Sequence, residues 1–368
     1  MKRKYILNTL LLFFLIIIMI ISLFNMYNTK LINSIYNDHF IKQIIWYLLG
    51  FIIIIIINKI NLNRLFKYSF YLYLFTNILL LLVLFFGNKI NGARAWFNLG
   101  FISFQPSELM KISLSLYLVH IINETKIKDF KDEFLLIFKS CIITLIPSIL
   151  VFLEPDTGAI IFYLLILFSL LLLKNINKWW FLIIFLGFLI ILSLFLYFYN
   201  YNQDLLINLI GTSFFYRIER IITFTNQNSY QLENALIVIG SSSFFKNGFN
   251  KGNLYIPEAP TDFIFAYNIG NFGIFCGLIV IISYFVLDII LIRIKDNIKN
   301  KKIKLFISSF IWIFLFQQII NIGMNLGLMP IIGIPLPFLS YGGSTIIIYF
   351  IYFGLIINFF NKERKLKY

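Results

Sequence analysis

Two histidines and two cysteines in 368 residues leave little material for several common chemistries. His39 and His120 are too few and too isolated to build a Ser-His-Asp triad or a histidine-zinc centre, and His120, on an apolar run, reads as a satisfied interior residue. Cys141 and Cys276 lie in separate apolar runs and give neither a disulfide framework nor a metal-type spacing. No Walker-type Gly-Lys-Ser/Thr loop, His-Glu-x-x-His or Gly-x-Ser-x-Gly is present. Charge is scarce as well, at 13% of residues, whereas 60% are hydrophobic and the mean hydropathy is +0.88. A soluble domain of this size does not tolerate such a surface, so the chain is expected to be a polytopic membrane protein.

Ten runs are apolar enough to cross a hydrocarbon core about 30 Å thick, which takes roughly 20 helical residues each. They fall near 6–25, 43–58, 66–86, 105–123, 135–153, 158–173, 179–200, 263–291, 304–326 and 341–360. The runs are continuous rather than alternating, which excludes barrel strands and predicts an all-α bundle of ten transmembrane helices in a single domain over 1–368. The first run follows Lys2-Arg3-Lys4 and ends without a small-residue cleavage site, as a retained signal-anchor does. Placing both termini in the cytoplasm puts the larger part of the 31 Lys and Arg in short inner loops. The net charge of +15 accordingly says more about topology, and about heavy use of Lys throughout, than about nucleic acid, for which no partner role is expected.

With that orientation the unusual sequence gathers outside: 89–104, the turn Glu154-Pro155-Asp156-Thr157-Gly158, a long loop at about 200–262 between the seventh and eighth helices, and the Gly- and Pro-rich stretch 327–343. The last reads as a re-entrant or cavity-lining loop, because irregular backbone at membrane depth needs protein or water around it. The outer face offers no ATP or nucleotide sugar. A reaction there needs a substrate that arrives already activated.

Three constellations carry candidate chemistry. In Gln105-Pro106-Ser107-Glu108-Leu109-Met110-Lys111, Pro106 suits a first helical turn and Glu108 the positive end of the helix dipole. Lys111 then lies at i+3 on the same face among apolar neighbours, which implies a polar cavity or an acidic partner; a site-organising role and a purely structural ion pair both fit. Asp262 stands where the long polar stretch re-enters an apolar run, either as a functional acid or as an N-cap of the eighth helix. Arg94 beside the interfacial Trp96 fits an aromatic-belt anchor or a phosphate grip. Arg217, Arg220 and Lys246 are cations gathered outside, against the positive-inside bias, and fit an anionic ligand such as pyrophosphate or contact with anionic lipid headgroups.

Taken together, Gly92-Ala93-x-x-Trp96, Gln105-Pro106-Ser107-Glu108-x-x-Lys111, Pro155-Asp156-x-Gly158, Tyr230-Gln231, Thr261-Asp262-Phe263-Ile264-Phe265-Ala266 and the run from Gly333 through Ser340-Tyr341 to Ser344 resemble the SEDS family, whose members include RodA, FtsW and SpoVE. The resemblance implies a peptidoglycan glycosyltransferase that polymerises lipid II outside the cytoplasmic membrane, with a class B penicillin-binding transpeptidase and other elongation or division proteins as partners. It implies no certain cofactor and leaves room for a divalent cation. The family's essential Asp matches Asp262, the expected general base, and its Glu and Lys match Glu108 and Lys111, expected to hold Asp262 and position substrate. Trp96, Gln105, Ser107, Asp156, Ser340 and Tyr341 are the remaining expected substrate contacts, alongside Arg94, Arg217, Arg220 and Lys246. Three positions depart from the family's pattern: Gly270 and Asn271 stand where a Glu-Glu pair is usual, Ala95 precedes Trp96 in place of Arg, and Ser242 and Ser243 replace glycines. A lipid II flippase and a weakly active transpeptidase scaffold are the competing readings, and the Gly-Ile-Pro-Leu-Pro-Phe-Leu-Ser-Tyr run looks more like elongation (RodA) than division (FtsW).

Overall fold

The apolar runs fold into helices in the computed structural model, which describes residues 2–32, 36–90, 93–98, 103–174, 176–212, 230–245 and 256–365, with Gly100 and Phe215. In chain order these are α1 (Lys2–Ile32), α2 (His39–Ile57), α3 (Leu62–Lys67), α4 (Ser69–Phe86), α5 (Pro106–Glu124), α6 (Phe130–Leu153), α7 (Thr157–Leu173), α8 (Lys178–Tyr201), α9 (Gln203–Ile210), α10 (Tyr230–Gly240), α11 (Ile264–Phe272), α12 (Ile274–Asp296), α13 (Lys301–Asn325) and α14 (Gly343–Lys365). Eight of them, α1, α2, α4, α6, α8, α12, α13 and α14, are long and apolar enough to cross a membrane. Two of the ten expected spans fall on helices that miss that criterion. Helix α7 has only 17 residues, and α5 is diluted by serines, Glu108 and Lys111.

The polarity of α5 is tolerated because protein, not lipid, surrounds it. It packs against α4, α6, α7, α13 and α14, and most of its side chains are buried. Outer helices behave in the opposite way: α6 and α8 turn Phe138, Leu145, Ile149, Ile183, Phe185 and Ile190 outward, an apolar surface suited to hydrocarbon. The chain is a multi-pass membrane protein with a protein-enclosed polar axis.

The eighth run is not one helix. Gly273 at φ 87° separates α11 from α12, a backbone conformation that costs glycine nothing and an L residue roughly 1–2 kcal/mol. The all-α expectation also needs a local amendment. Strands β1 (Asn88–Ile90), β2 (Ala93–Asn98) and β3 (Ser103–Phe104) form a small antiparallel sheet in the order β1-β2-β3. Lys89 lies opposite Arg94 and Phe97 opposite Phe104. Ala93 and Ala95 are buried with Arg94 less so between them, the period-two alternation of a strand with one covered face. Of the expected loop at 200–262, α9, α10 and the turn from Ile256 onward are described; 216–229 and 246–255 lie outside the described residues.

Between α13 and α14 the chain is irregular: Leu326, Leu328 and Met329 are exposed, whereas 334–340 is largely interior, and several of its carbonyls accept from side chains. Asn321 Nδ2 donates to the Ile334 carbonyl at 2.7 Å, Gln317 Nε2 to Pro335 at 2.6 Å, Tyr47 to Phe338 at 2.6 Å and Ser22 to Leu339 at 2.8 Å. Buried backbone without a ladder has to be satisfied in this way. Phe338, at φ 62°, is held in a left-handed conformation by these anchors.

The two ends of the bundle differ. At one end the β-sheet, the α6–α7 turn, the Asp262 turn and the 333–343 segment meet, joined by Gln105 N donating to Ser344 Oγ at 3.1 Å and Tyr341 N donating to Pro260 O at 2.7 Å. At the other, the Lys174 ammonium caps the last turn of α5 through the carbonyls of Ile122 and Thr125, Lys302 pairs with Glu124, and Asn358 donates to Ile57 O at 2.6 Å.

Candidate active site

Pro106 occupies the first turn of α5, where its missing N–H costs no hydrogen bond, and so Gln105 and Ser107 straddle the helix start. Both reach the same acceptor. Gln105 Nε2 and Ser107 Oγ donate to Asp156 Oδ2 at 2.9 and 3.0 Å, while Asp156 Oδ1 accepts from the Ala159 amide at 3.4 Å as the N-cap of α7. Tyr163 on α7 returns a bond from its hydroxyl to the Ser107 carbonyl at 2.9 Å. Three residues expected as substrate contacts thus form a strap that fixes the start of α5 against the start of α7.

One turn into α5, Lys111 Nζ lies 2.6 Å from Glu108 Oε1, with the two residues 2% and 7% exposed. The ammonium also sits 4.5 Å from the centroid of the Phe162 ring. Glu108 Oε2 is buried without a hydrogen-bond partner among the described residues. The expectation that this pair holds Asp262 is not met: the lysine is taken up by Glu108, its neighbour on the same helix.

Asp262 lies in the turn that leads into α11. The amides of Asp262 and Phe263 both donate to the Glu258 carbonyl, at 3.1 and 3.2 Å. Its own carbonyl accepts from Asn321 and Asn325 on α13, each at 3.0 Å. Ser340 Oγ donates to Thr261 O at 2.6 Å and accepts from the Leu336 amide at 2.7 Å, so the 333–343 segment clasps the turn from the other side. Tyr341 stacks on His39 at 3.8 Å between centroids and 7° between planes. Ser340 and Tyr341 therefore shape the turn that carries the acid.

The backbone of Asp262 is anchored while its carboxylate is not. Helix α11 starts after Phe263 without a side-chain cap, so the capping alternative for Asp262 fails. Half-buried and facing Gly333, where a Cβ would lie 3.5 Å from Oδ2, the carboxyl is pushed up to about 7 by burial and, less strongly, by the nearby Glu258. Among the described residues no side chain pairs with this carboxyl, so an acid near neutrality, tied down through its backbone, is left able to take up or release a proton.

Asp262 and the Gln105–Asp156 strap meet through the 333–343 segment. A Cβ on Gly158 would stand 3.4 Å from Ile334, and Asn321 bonds both the Ile334 and the Asp262 carbonyls. Asn321 and Asn325 are structural keys that sequence reasoning missed; their i,i+4 spacing puts them on one face of α13, beside other buried amides, but does not name their acceptors. Glu154 was missed too. It is fully buried, neither carboxylate oxygen has a partner among the described residues, and burial together with Asp156 pushes its acid up to about 9.

Other expected residues are placed differently. Arg94 turns back to the span, donating from a terminal guanidinium nitrogen to Leu84 O at 3.1 Å, which explains a cation beside an interfacial tryptophan without a bound phosphate. Trp96 is half-buried on β2. His120 is half-buried and its Nδ1 has no partner among the described residues, so it is not the satisfied interior residue expected. Arg217, Arg220 and Lys246 lie outside the described residues. Gly270 has a steric reason: a Cβ there would come within 2.4 Å of Val238 Cγ1, so α10 closes onto α11 where a larger residue would hold it off. Among the described residues no three His, Cys, Asp or Glu side chains converge on a point where a divalent cation would fit.

Comparison with known proteins decides the family. The model for cell cycle proteins of the FtsW, RodA and SpoVE type matches residues 2–365. The chain belongs to this family. Among curated members it is 33% identical over 349 residues to a protein of Wigglesworthia glossinidia brevipalpis named probable peptidoglycan glycosyltransferase FtsW, covering 90% of this chain and 87% of that one. It is 30% identical to peptidoglycan glycosyltransferase MrdB of Helicobacter pylori, covering 94% and 87%. Of solved structures, a chain from a peptidoglycan synthase complex described as coordinating polymerization and crosslinking matches with a TM-score of 0.78 at 26% identity over 96% of this chain and 97% of that one. The rod shape determining protein RodA of Thermus thermophilus matches with a TM-score of 0.66 at 25% identity over 95% and 96%. The SEDS fold expected from the motifs is the fold observed.

Proposed function

We propose that this protein is a peptidoglycan glycosyltransferase that polymerises lipid II, with Asp262 as general base and the end of the bundle bearing the Asp262 turn facing the outside of the cytoplasmic membrane. The observation that carries the proposal is the half-buried carboxyl of Asp262, without a partner among the described residues, raised to about 7 and fastened by its backbone to α13. In the reaction a sugar hydroxyl of the acceptor attacks the anomeric carbon of the donor chain. The new C–O bond forms as the bond to undecaprenyl pyrophosphate breaks, the leaving group departs with the electron pair, and Asp262 takes the hydroxyl proton. General base catalysis of this kind supplies about 10²–10⁴-fold. Glu108 and Lys111 organise the polar axis behind the site, and Arg217, Arg220 and Lys246 are assigned to the departing pyrophosphate.

The relatives carry FtsW and MrdB names alike, so the finer role rests on sequence: the Gly333–Tyr341 signature favours elongation. A class B penicillin-binding transpeptidase is the proposed partner, in keeping with the neighbouring structure of a complex that joins polymerization to crosslinking. Purified full-length protein given lipid II, with and without such a partner, should build glycan strands resolvable on a gel. Transbilayer movement of lipid II without strand synthesis would support the flippase reading instead.

A further inference from the structure

At the end of the bundle opposite Asp262, the Lys59–Asn61 turn, α3 and the beginning of α4 line an open, shallow cavity of about 660 Å³. Lys59 and Arg64 form its mouth, both exposed. Lys67 lies beside them, 6.0 Å from the Tyr68 ring, and the Lys362 ammonium donates to the carbonyl of Ile60 at the same rim. Among the described residues Lys59, Arg64 and Lys67 have no ion pair, and no Asp or Glu lines the cavity. Below the mouth the wall changes character. Tyr68, the N-cap of α4, and Tyr71, Leu72 and Phe75 recur at i, i+3, i+4 and i+7 down one face, with Tyr68, Tyr71 and Phe75 at 53%, 66% and 53% exposed. The opposite face of α4 holds the buried Tyr73, Thr76 and Leu80. This stripe runs for about 10 Å along the span.

A dissolved anion needs only the mouth. The aromatic and aliphatic wall that continues from it calls for a ligand with a hydrocarbon chain attached to its negative group. The outward faces of α6 and α8 are equally apolar and meet bulk lipid, but here a concave surface and unpaired cations coincide. We propose that this cavity binds one anionic glycerophospholipid of the adjoining leaflet, its phosphate held by Lys59 and Arg64 and an acyl chain lying along Tyr68, Tyr71 and Phe75.

The test uses the full-length protein in neutral detergent, titrated with phosphatidylglycerol or with phosphatidylcholine of identical chains and read by native mass spectrometry. Two cations at roughly 1 kcal/mol each predict a preference of roughly thirtyfold for phosphatidylglycerol. Lys59→Gln with Arg64→Gln should bring the two lipids to near parity. Tyr71→Ala should weaken both lipids while keeping the preference. Because both cations are exposed, the double variant should keep its thermal midpoint; if it unfolds, Lys59→Arg with Arg64→Lys is read instead and must retain the preference. Equal binding of the two lipids by the unaltered protein, or an undiminished preference in the glutamine variant, overturns the proposal. So does displacement of phosphatidylglycerol by inorganic phosphate or glycerol 3-phosphate at matched concentration, which would mark a free-anion site.

Discussion

Removing Lys111 should be far more damaging than removing Lys111 and Glu108 together. At 2.6 Å and an effective dielectric of about 20, two unit charges attract by roughly 6 kcal/mol, but desolvating each ion costs several kcal/mol, so the intact pair adds little net stability. Breaking it is a different matter. Lys111→Met leaves a carboxylate that is 7% exposed and has one oxygen already unpartnered, a loss of about 3–5 kcal/mol. Glu108→Gln with Lys111→Met removes both charges, and methionine matches the length of the lysine stem beside Phe162. Its stability should return to within about 1 kcal/mol of the parent. The assay is reversible unfolding of the four members of the cycle in detergent, paired with lipid II polymerisation by each. A single-variant loss below about 1 kcal/mol would refute the claim of an enclosed charge pair. Full polymerisation by the stable double variant would reduce the pair to a structural element and remove its site-organising role.

The acid at Asp262 makes polymerisation pH-dependent: with its ionisation near 7, activity should rise as pH climbs from 6 to 8, and a flat profile would remove it as the base. Linkage runs the other way, because a carboxyl raised above its unfolded value near 3.8 makes the folded state the better proton holder, so stability should fall as pH rises from about 4 to 7, measurable by thermal unfolding. Glu154→Gln should leave stability and activity at pH 7 almost unchanged, since an acid raised to about 9 is already neutral there; a large loss at pH 7 would show that its ionised form matters. Gly333→Ala adds a methyl at φ +74° and 3.5 Å from Asp262 Oδ2, costing roughly 1–2 kcal/mol of stability and a disproportionate share of turnover, as paired unfolding and rate measurements would show. Asn321→Leu strips the side-chain donor from the Ile334 carbonyl, while the Asp262 carbonyl keeps Asn325, and should destabilise by about 1–3 kcal/mol in thermal unfolding.

Much of this architecture was legible in the chain because hydrocarbon is an exacting solvent. A run such as Trp179 through Asn200 has no soluble alternative, and Pro106 announces a helix start where it stands before such a run. The acid and the lysine of α5 were conspicuous for the same reason. Pairing was harder to read. Lys111 satisfies a neighbour on its own helix, the ion pair that its i,i+3 spacing left open, whereas the family resemblance suggested that it held Asp262; the two readings part only once the fold shows which partner the lysine takes. The break at Gly273 and the small sheet at 88–104 depend on one positive φ and on short alternation that the surrounding apolar signal overwhelms. Asn321 and Asn325 were silent because amides in a helix look like helix–helix glue until their acceptors are known.

Asp262→Asn is the most direct trial of the central claim. The substitution is isosteric and leaves untouched the carbonyl that Asn321 and Asn325 hold, so the protein should fold and keep its thermal midpoint. With purified protein, lipid II and partner transpeptidase, strand synthesis should fall by about 10²–10⁴-fold and lose its rise between pH 6 and 8. Turnover within a few-fold of the parent, at any pH in that range, would contradict the assignment of Asp262 as the base.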